Sequence, residues 1–243
     1  MNVVISQSML FPWVGLLEQV SLANIFVHYN DVQFSKGSFV NRVQIKTTKG
    51  WQWMAVPLQN LHLGQRIDEV QIVPAAKWRD RHLELLECSF LGARYACDAL
   101  ELAQQVYSID YANIGDLAQA SLIALVRYFG LYESTRFIDV KEIGITGHST
   151  ERVVSIVRYL HGDTYITGHG GLRYLDHNRF EKYNIKVEYM NYMSIPYPQL
   201  HGEFNPYVSG LDLVANCGKE GIRYICSKTI DWRSLLNEPH RTI

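Results

Sequence analysis

The start of the chain alternates between strand and helix patterns, and this alternation most constrains the fold. Val3–Ser6 and Ile25–Tyr29 are short runs rich in branched apolar residues, which is typical of buried strands. Between them, Pro12 precedes a stretch of helical apolar spacing that reaches about Ala23. Proline is tolerated in the first turn of a helix because its missing N–H would have no partner there. A strand, a helix and a second strand in this order predict an α/β unit.

The rest of the chain predicts one α/β domain with a helical insertion. Val43–Lys46 and Trp51–Val56 flank a glycine turn and predict a β-hairpin, and Ile67–Val73 predicts a further strand. Apolar residues then follow helical spacing across residues 77–131. Strand and helix patterns alternate again afterwards, and no Pro-rich or Ser-rich linker and no repeat interrupts them. We therefore expect residues 1–243 to form a single mixed-sheet α/β domain, with the insertion at about residues 77–131.

Charge and hydropathy limit the partners and the location of the protein. The formal net charge is −1 and no basic run occurs, so a nucleic-acid backbone would find no positive surface, which leaves single nucleotides as candidates. No apolar run reaches the length of a membrane span, and the first residues lack the basic and apolar regions of a signal peptide. We expect a cytoplasmic protein with small-molecule partners, without nucleic acid and without a membrane span.

Cysteine and histidine spacing does not indicate a metal site. The four cysteines contain no Cys-x-x-Cys pair. The nine histidines show neither His-x-x-x-His nor His-Glu-x-x-His spacing. We therefore expect no metal, and we expect the cysteines to be reduced residues that pack in the core.

The segment Asp31–Arg42 follows the second strand pattern and concentrates unlike polar groups. An acid, two carboxamides, a lysine and an arginine alternate there with phenylalanines, which is typical of a loop that faces a ligand. Gln7 comes directly after the first strand, where ligands of open α/β sheets bind. The alternative is an amphipathic edge strand with a solvated polar face. The candidate residues in this set are Gln7, Asp31, Gln33, Lys36, Asn41 and Arg42.

A glycine-containing loop before a predicted helix forms the second candidate site. Ser149 or Thr150 is expected to cap a helix that begins at Glu151. The free N–H groups and the positive end of the helix dipole would bind a phosphate or carboxylate there, and Arg152 would add a bidentate contact. Gly168–Gly171 follows the same logic, although neither loop carries the dinucleotide fingerprint or the phosphate-binding loop sequence. The alternative is an ordinary capped helix.

A proline-stiffened loop near the C-terminus forms the third candidate site, and it displays Tyr197 and Gln199. His201 could act as a general base or acid, because imidazole is the side chain best suited to proton transfer at neutral pH, and Glu203 or Asp212 could orient it. Cys217 follows shortly afterwards, so a Cys/His pair is also conceivable. The alternatives are a hydrogen-bonded structural histidine and an inert thiol, and we interpret Cys217 as structural.

Ordered motifs along nearly the whole chain resemble the WbqC-like family. The resemblance runs from about Ser6 to Gly218, and the motifs that carry it are Ser6-Gln7, Phe11-Pro12-Trp13-Val14-Gly15, Asp31-Val32-Gln33-Phe34-Ser35-Lys36, Asn41-Arg42, Thr150-Glu151-Arg152, Tyr165-Ile166-Thr167-Gly168, Tyr197-Pro198-Gln199, Leu211-Asp212-Leu213 and Asn216-Cys217-Gly218. One departure is His148-Ser149, where the family pattern has a lysine. A lysine role at this helix start is therefore not expected.

The resemblance implies a transferase of bacterial surface-polysaccharide biosynthesis, which includes O-antigen and lipopolysaccharide. The implied reaction is N-acyl or N-aminoacyl transfer to a nucleotide-linked amino sugar, with an acyl or aminoacyl thioester as donor and an acyl carrier as a possible partner. No further cofactor is expected. His201, Asp31 and Asp212 would have catalytic roles, and the other candidates would bind substrate. We expect the residues near positions 7, 31–42 and 199–212 to line one pocket.

Two alternatives to this function remain. The strand–loop–helix opening resembles nucleotidyltransferases, in which a loop and a helix start hold a triphosphate, but the His-x-Gly-His signature of that group is absent. A non-catalytic binding subunit of a polysaccharide assembly complex is the other alternative. The concentration of unlike polar groups in a few motifs argues against a mere scaffold.

Overall fold

The structure, a computed structural model, describes residues 1–237. Within this range the strands are β1 (Asn2–Ser6), β2 (Ile25–His28), β3 (Arg42–Thr47), β4 (Gly50–Ala55), β5 (Arg136–Asp139), β6 (Thr164–Thr167), β7 (Lys186–Asn191) and β8 (Lys228–Asp231). The helices are α1 (Val14–Leu22), α2 (Arg79–Phe90), α3 (Ala96–Tyr107), α4 (Ile114–Tyr128), α5 (Val140–Ile143), α6 (Ser149–Tyr159), α7 (His177–Glu181), α8 (Gly210–Cys217) and α9 (Trp232–Asn237).

Six strands form the main sheet in the spatial order β5-β2-β1-β6-β7-β8, while β3 and β4 form a separate hairpin. All neighbours in the main sheet are parallel except β7 and β8, which pair antiparallel. Counted along the chain, the six strands therefore stand in the order third, second, first, fourth, fifth, sixth. This is the order of the doubly wound sheet that binds dinucleotides. The predicted α/β class with a mixed sheet is confirmed.

The main sheet is covered on both faces, which explains why its strands are continuous apolar runs rather than alternating ones. Val3 and Ile5 of β1 belong to a core cluster that includes Val153 and Val157 of α6. Val4, whose side chain points to the opposite face, belongs to a second cluster with Leu16 of α1. The result is a layered α/β arrangement whose sheet ends are the natural place for a ligand.

The predicted helical insertion is also confirmed. Helices α2, α3 and α4 follow one another between β4 and β5, and their apolar residues join the core cluster on the α1 face of the sheet. The longest of them, α4, has 15 residues. None of the helices in the described part of the chain is long and apolar enough to cross a membrane.

Two local predictions differ from the structure. Residues 67–73 were expected to form a strand, but Ile67–Glu69 is a short 3-10 helix, and only isolated bridges follow it. The polar pair Asp68-Glu69 explains this, because the Glu69 carboxylate accepts a hydrogen bond from the Arg66 N–H and so closes the turn. The edge strand β8 was not predicted, since its four residues are partly exposed and give only a weak apolar pattern.

Candidate functional site

A cleft of about 1050 Å³ opens at the carboxyl ends of β1, β2 and β6. The chain leaves β1 toward β2 on one side of the sheet and leaves β6 toward β7 on the other, so the cleft lies at the topological switch point. Four segments supply most of its lining: the loops after β1, β2 and β6, and the start of α6. The polar lining residues include Gln7, Gln19, Tyr29, Asp31, Gln33, His148, Ser149, Arg152, His169, Tyr174 and Tyr192.

An ion pair between Arg152 and Asp31 lies in the lining of this cleft. The two Arg152 Nη atoms donate to the two carboxylate oxygens of Asp31, with 2.9 Å between Nη1 and Oδ1. The Arg152 Nε donates to the carbonyl of Ile145 at 2.9 Å, and the guanidinium lies over the ring of Tyr29 at 4.9 Å. Asp31 raises the pKa of Arg152 by hydrogen bonding to its charged form. These hydrogen bonds fix the position of the guanidinium, and the Asp31 carboxylate neutralises its charge.

Helix α6 begins at the cleft without a side-chain cap, which corrects the expected cap by Ser149 or Thr150. His148 occupies the cap position, and no side chain accepts from the first-turn N–H groups. Thr150 Oγ1 instead donates to the Tyr174 carbonyl at 3.3 Å and accepts from the Asp176 N–H at 3.0 Å. The Thr150 side chain therefore stabilises the loop after β6 instead of capping the helix. The first N–H groups of α6, which have no partner inside the helix, are available to an anion.

The Gly168–Gly171 loop after β6 forms a second turn in the lining of the same cleft. A short 3-10 helix starts at His169, so its first N–H groups also lack partners within the turn. A side chain at Gly168 would lie 3.1 Å from Tyr192 Oη and 3.2 Å from Gln19 Nε2, so only glycine fits there without a shift. Gly170, in contrast, has open space around it. Two backbone turns with free N–H groups therefore border one cleft, an arrangement that suits phosphate groups.

Two histidines of the cleft were not among the predicted site residues. His148 stands at the start of α6, and His169 follows Gly168 after β6. The His169 ring packs edge-on against Tyr192 at 5.6 Å, and Tyr192 Oη accepts a hydrogen bond from Gln19 Nε2 at 2.8 Å. Burial raises the pKa of Tyr192 to about 12, so its hydroxyl stays protonated. The available signal was the position of each histidine beside a glycine at the end of a predicted strand or the start of a predicted helix.

The residues of the third predicted set lie in a different place, beside the β3–β4 hairpin. Lys46 of β3 is buried and donates through Nζ to Gln199 Oε1 at 3.1 Å and to the carbonyl of Glu203 at 2.8 Å. Burial lowers the pKa of Lys46. Ser209 N–H donates to the Gln44 carbonyl at 2.9 Å, so the loop is joined to the hairpin edge. We call Lys46, Tyr197, Gln199, His201 and Asp212 the hairpin cluster.

The remaining members of the hairpin cluster are engaged in structural contacts. His201 Nε2 lies 2.8 Å from the carbonyl of Ser89 in α2. Tyr197 Oη donates to Asp212 Oδ1 at 3.0 Å, and Asn216 donates to the same oxygen at 3.2 Å. Burial raises the pKa of Asp212 to about 6.

The expectation of one shared pocket is therefore wrong. Gln7, Asp31, Gln33 and Arg152 meet at the cleft, whereas Tyr197, Gln199, His201 and Asp212 do not line it. The physical reason is that the loop at residues 197–209 pairs with the β3–β4 hairpin instead of reaching the sheet edge.

Lys36, Asn41 and Arg42 were also predicted to bind substrate, but they do not line the cleft. Lys36 is exposed next to the lining residue Ser35. Asn41 Nδ2 donates to the Val56 carbonyl at 3.1 Å, and the Arg42 guanidinium stacks on Trp53 at 4.0 Å. Both residues therefore stabilise the base of the hairpin.

Glu151 faces a neighbouring hollow of about 350 Å³ and forms an ion pair with Arg179 at 3.2 Å. It is thus separated from Arg152, although the two residues are adjacent in sequence. Glu151 is exposed whereas Arg152 is buried, because successive helical side chains point in different directions.

The cysteines differ from the expectation that they pack in the core. Cys88, Cys97 and Cys226 are exposed, and Cys217 at the end of α8 is half-buried. Burial raises the pKa of the Cys217 thiol, which lowers its thiolate fraction, and Cys217 does not line the cleft. Among residues 1–237, no three His, Cys, Asp or Glu side chains are grouped so that they could hold a metal ion.

Comparisons with known proteins identify a family and a relative that extend over most of the chain. The model of the WbqC-like protein family matches residues 7–224, which include every segment of the cleft after β1. The uncharacterized protein Rv1507c of Mycobacterium tuberculosis is 30% identical over 227 residues, and the match covers 92% of this chain and 97% of that protein. No solved structure matches the chain. The chain belongs to the WbqC-like protein family.

Proposed function

We propose that the protein is a cytoplasmic transferase that acts on a nucleotide-linked amino sugar in surface-polysaccharide biosynthesis. The observation that carries this proposal is the cleft at the switch point of the sheet, bordered by two backbone turns with free N–H groups. Its volume of about 1050 Å³ is large for a single small metabolite and fits a ligand with several rings. Nucleotides bind at the same place in other sheets of this strand order.

The diphosphate would bind between the start of α6 and the Gly168–Gly171 loop. The N–H groups of both turns supply donors and a partial positive charge. These N–H groups would provide most of the attraction for the diphosphate, because the charge of Arg152 is already neutralised by Asp31. Gly170, which has no heavy atom within 4 Å of where a side chain would begin, allows close approach of a phosphate.

The ribose would lie near Asp31. In dinucleotide-binding sheets an acidic residue after the second strand accepts hydrogen bonds from the ribose hydroxyls, and Asp31 follows β2 in the same way. Each carboxylate oxygen that accepts from Arg152 retains a second lone pair. Arg152 would therefore orient Asp31 for the sugar, and Asp31 would act in binding rather than as a base.

The transfer itself needs an acceptor for one proton. The amine nitrogen of the sugar attacks the carbonyl carbon of an acyl or aminoacyl thioester, the C–N bond forms and the C–S bond breaks. His169 accepts the proton from the nitrogen and returns it to the leaving thiolate. Gln7 and Gln33, both in the lining, can donate to the oxyanion. An acyl carrier would deliver the donor.

Thermal shift and a transfer assay test this proposal together. Nucleoside-diphosphate sugars with each common base should raise the melting temperature, and a nucleotide-linked amino sugar with an acyl thioester should yield an amide and free thiol. Stabilisation without amide formation by any thioester would reject the transferase and leave a binding protein. No stabilisation by any nucleotide sugar would reject the proposal as a whole.

A nucleotidyltransferase-like enzyme is the second candidate, and the sheet order favours it. Its strand–loop–helix opening leads into the same switch-point cleft, where a triphosphate would meet the same two turns. The discriminating result is stabilisation by free nucleoside triphosphates above that by nucleotide sugars, with release of pyrophosphate. A scaffold subunit that binds no nucleotide would be stabilised by neither.

A further inference from the structure

Glu18 of α1 is a buried carboxyl group without a cationic partner. Its side chain is 2% exposed, and its Oε1 has no hydrogen-bond partner. Ser227 is the hydrogen-bonding residue that favours its charged form. None of the ion pairs among residues 1–237 includes Glu18. The charged form of an unpaired buried carboxyl group is unfavourable, so a cation placed beside Glu18 would stabilise it.

The unpartnered group borders a small pocket with aromatic walls. Trp13, Tyr197 and Phe204 contribute rings, and Ser194, Ile195 and Pro206 close the remaining sides. The space measures about 10 Å³, which is the room of one water-sized group. One carboxyl-bearing residue, Glu18, and three aromatic residues therefore line the same small pocket.

The pocket is next to the cleft but separate from it. Trp13 lines the pocket, Tyr192 lines the cleft, and their rings pack at 5.1 Å. Gln19, adjacent to Glu18 in α1, holds Tyr192 in place. Ser194 at the pocket has a backbone φ of 45°, a conformation that costs free energy in a residue other than glycine.

We propose that the pocket beside Glu18 binds one primary ammonium group, –NH3+, of a ligand. A carboxylate supplies the counter-charge, and aromatic faces attract cations through the ring quadrupole. Because the space has room for one water-sized group, we expect –NH3+ to enter it more readily than a guanidinium or a trimethylammonium group. A divalent metal does not fit, since metals of that charge require several carboxylate or imidazole ligands and Glu18 is the only such residue in the lining of this pocket.

The titration of Glu18 agrees with this inference. Burial raises the pKa of Glu18 to about 7, so the carboxyl group is partly neutral and partly charged at neutral pH. The neighbouring groups that affect this titration are the Ser227 hydroxyl and Tyr192, which stays neutral. An arriving ammonium would favour the carboxylate, so binding near pH 7 releases a proton.

The test uses free amines and three forms of the full chain: wild type, Glu18→Gln and Glu220→Gln. Glu18→Gln keeps the shape and removes the charge, and Glu220→Gln removes an exposed carboxylate from the same molecule. Methylammonium, ammonium, potassium and tetramethylammonium chlorides are compared at equal ionic strength by thermal shift. We expect saturable stabilisation of the wild type and Glu220→Gln by methylammonium and ammonium, and at least a tenfold weaker response of Glu18→Gln.

Three results would overturn the proposal. Equal responses of Glu18→Gln and wild type would mean that the amine acts elsewhere. Equal stabilisation by tetramethylammonium would contradict the size limit, and equal stabilisation by potassium would indicate a general cation site. Should Glu18→Gln fail to fold, calorimetry on the wild type decides, because proton release on methylammonium binding must be present at pH 7 and absent at pH 9. No nucleotide is used, so a negative result removes the ammonium pocket and leaves the nucleotide-sugar proposal standing.

Discussion

Arg152 and Asp31 are 121 residues apart in the chain and form a two-bond ion pair in the cleft. Asp31 follows β2, and Arg152 lies in the first turn of α6, the helix that precedes β6. The pair thus joins the loop after β2 to the start of α6 at the point where the ligand is expected to bind. Because both side chains are largely buried, each carries a charge that the other must neutralise.

Arg152→Ala should destabilise the protein by about 2–4 kcal/mol, since it leaves the Asp31 carboxylate and the Ile145 carbonyl without their donors. Glu151→Gln is the matched control, because Glu151 is the preceding residue and its pair with Arg179 is exposed. That change should cost less than about 1 kcal/mol. Chemical denaturation of both variants measures the difference, and equal stabilities would show that the buried pair has no special weight.

Gly168→Ala should disturb the cleft wall through steric contact alone. The new methyl group would press on Tyr192 Oη and Gln19 Nε2, which are hydrogen-bonded to each other. We expect a loss of about 1–2 kcal/mol in the free energy of unfolding and weaker nucleotide-sugar binding. Gly170→Ala, two residues later and without close neighbours, should be nearly neutral for stability. Denaturation curves that coincide for the two variants would refute this interpretation of the loop.

Alanine substitutions of His169 and of His201 should have different effects on the transfer rate and on stability. His169→Ala should lower the transfer rate by about 10²–10⁴-fold with an unchanged melting temperature, because it removes a proton acceptor from the cleft. His201→Ala should leave the rate within a few-fold and lower stability by about 1 kcal/mol, since the Ser89 carbonyl loses its partner. Steady-state kinetics of both variants measure the rates. A large loss of rate in His201→Ala but not in His169→Ala would indicate that the proton acceptor lies in the hairpin cluster.

Asp212 predicts a specific pH dependence of stability. Burial raises its pKa from 3.8 to about 6, so the folded protein binds this proton more tightly than the unfolded chain does. Wild-type stability attributable to Asp212 is therefore complete below about pH 4 and is lost as the pH rises to about 6. The free energy of unfolding of Asp212→Asn relative to the wild type should rise by up to about 3 kcal/mol between pH 4 and pH 6. Above pH 6 this difference should stay constant. Parallel urea titrations at pH 4, 5, 6 and 7 test this, and a constant difference would contradict it.

Much of the fold could be predicted from local patterns, and the reason is physical. The buried strand Val3–Ser6 and the amphipathic helix α4 carry their burial in their own apolar spacing. The 3-10 turn at Ile67–Glu69 and the edge strand β8 do not, because a capping carboxylate decides the first and pairing with β7 decides the second. Local sequence contains neither contact.

The sequence likewise predicts only part of the candidate site. Gln7 and Asp31 could be assigned to one cleft, because each follows a strand whose carboxyl end lies at the sheet edge. His201 could not be separated from that cleft by sequence, since its position depends on how residues 197–209 pair with the hairpin. Glu18 was missed for a related reason. A charged residue on a helix is normally exposed, and only tertiary packing shows that this one is buried.

The most direct test of the nucleotide-sugar cleft is a calorimetric comparison of Gly170→Asp with Gly170→Asn. Both side chains have similar size and enter open space, and only the first places a negative charge in the cleft. With the nucleoside-diphosphate sugar that stabilises the wild type most, we expect binding by Gly170→Asn within about threefold of the wild type and binding by Gly170→Asp at least tenfold weaker. Equal, undiminished affinity of both variants would contradict the placement of the diphosphate in this cleft.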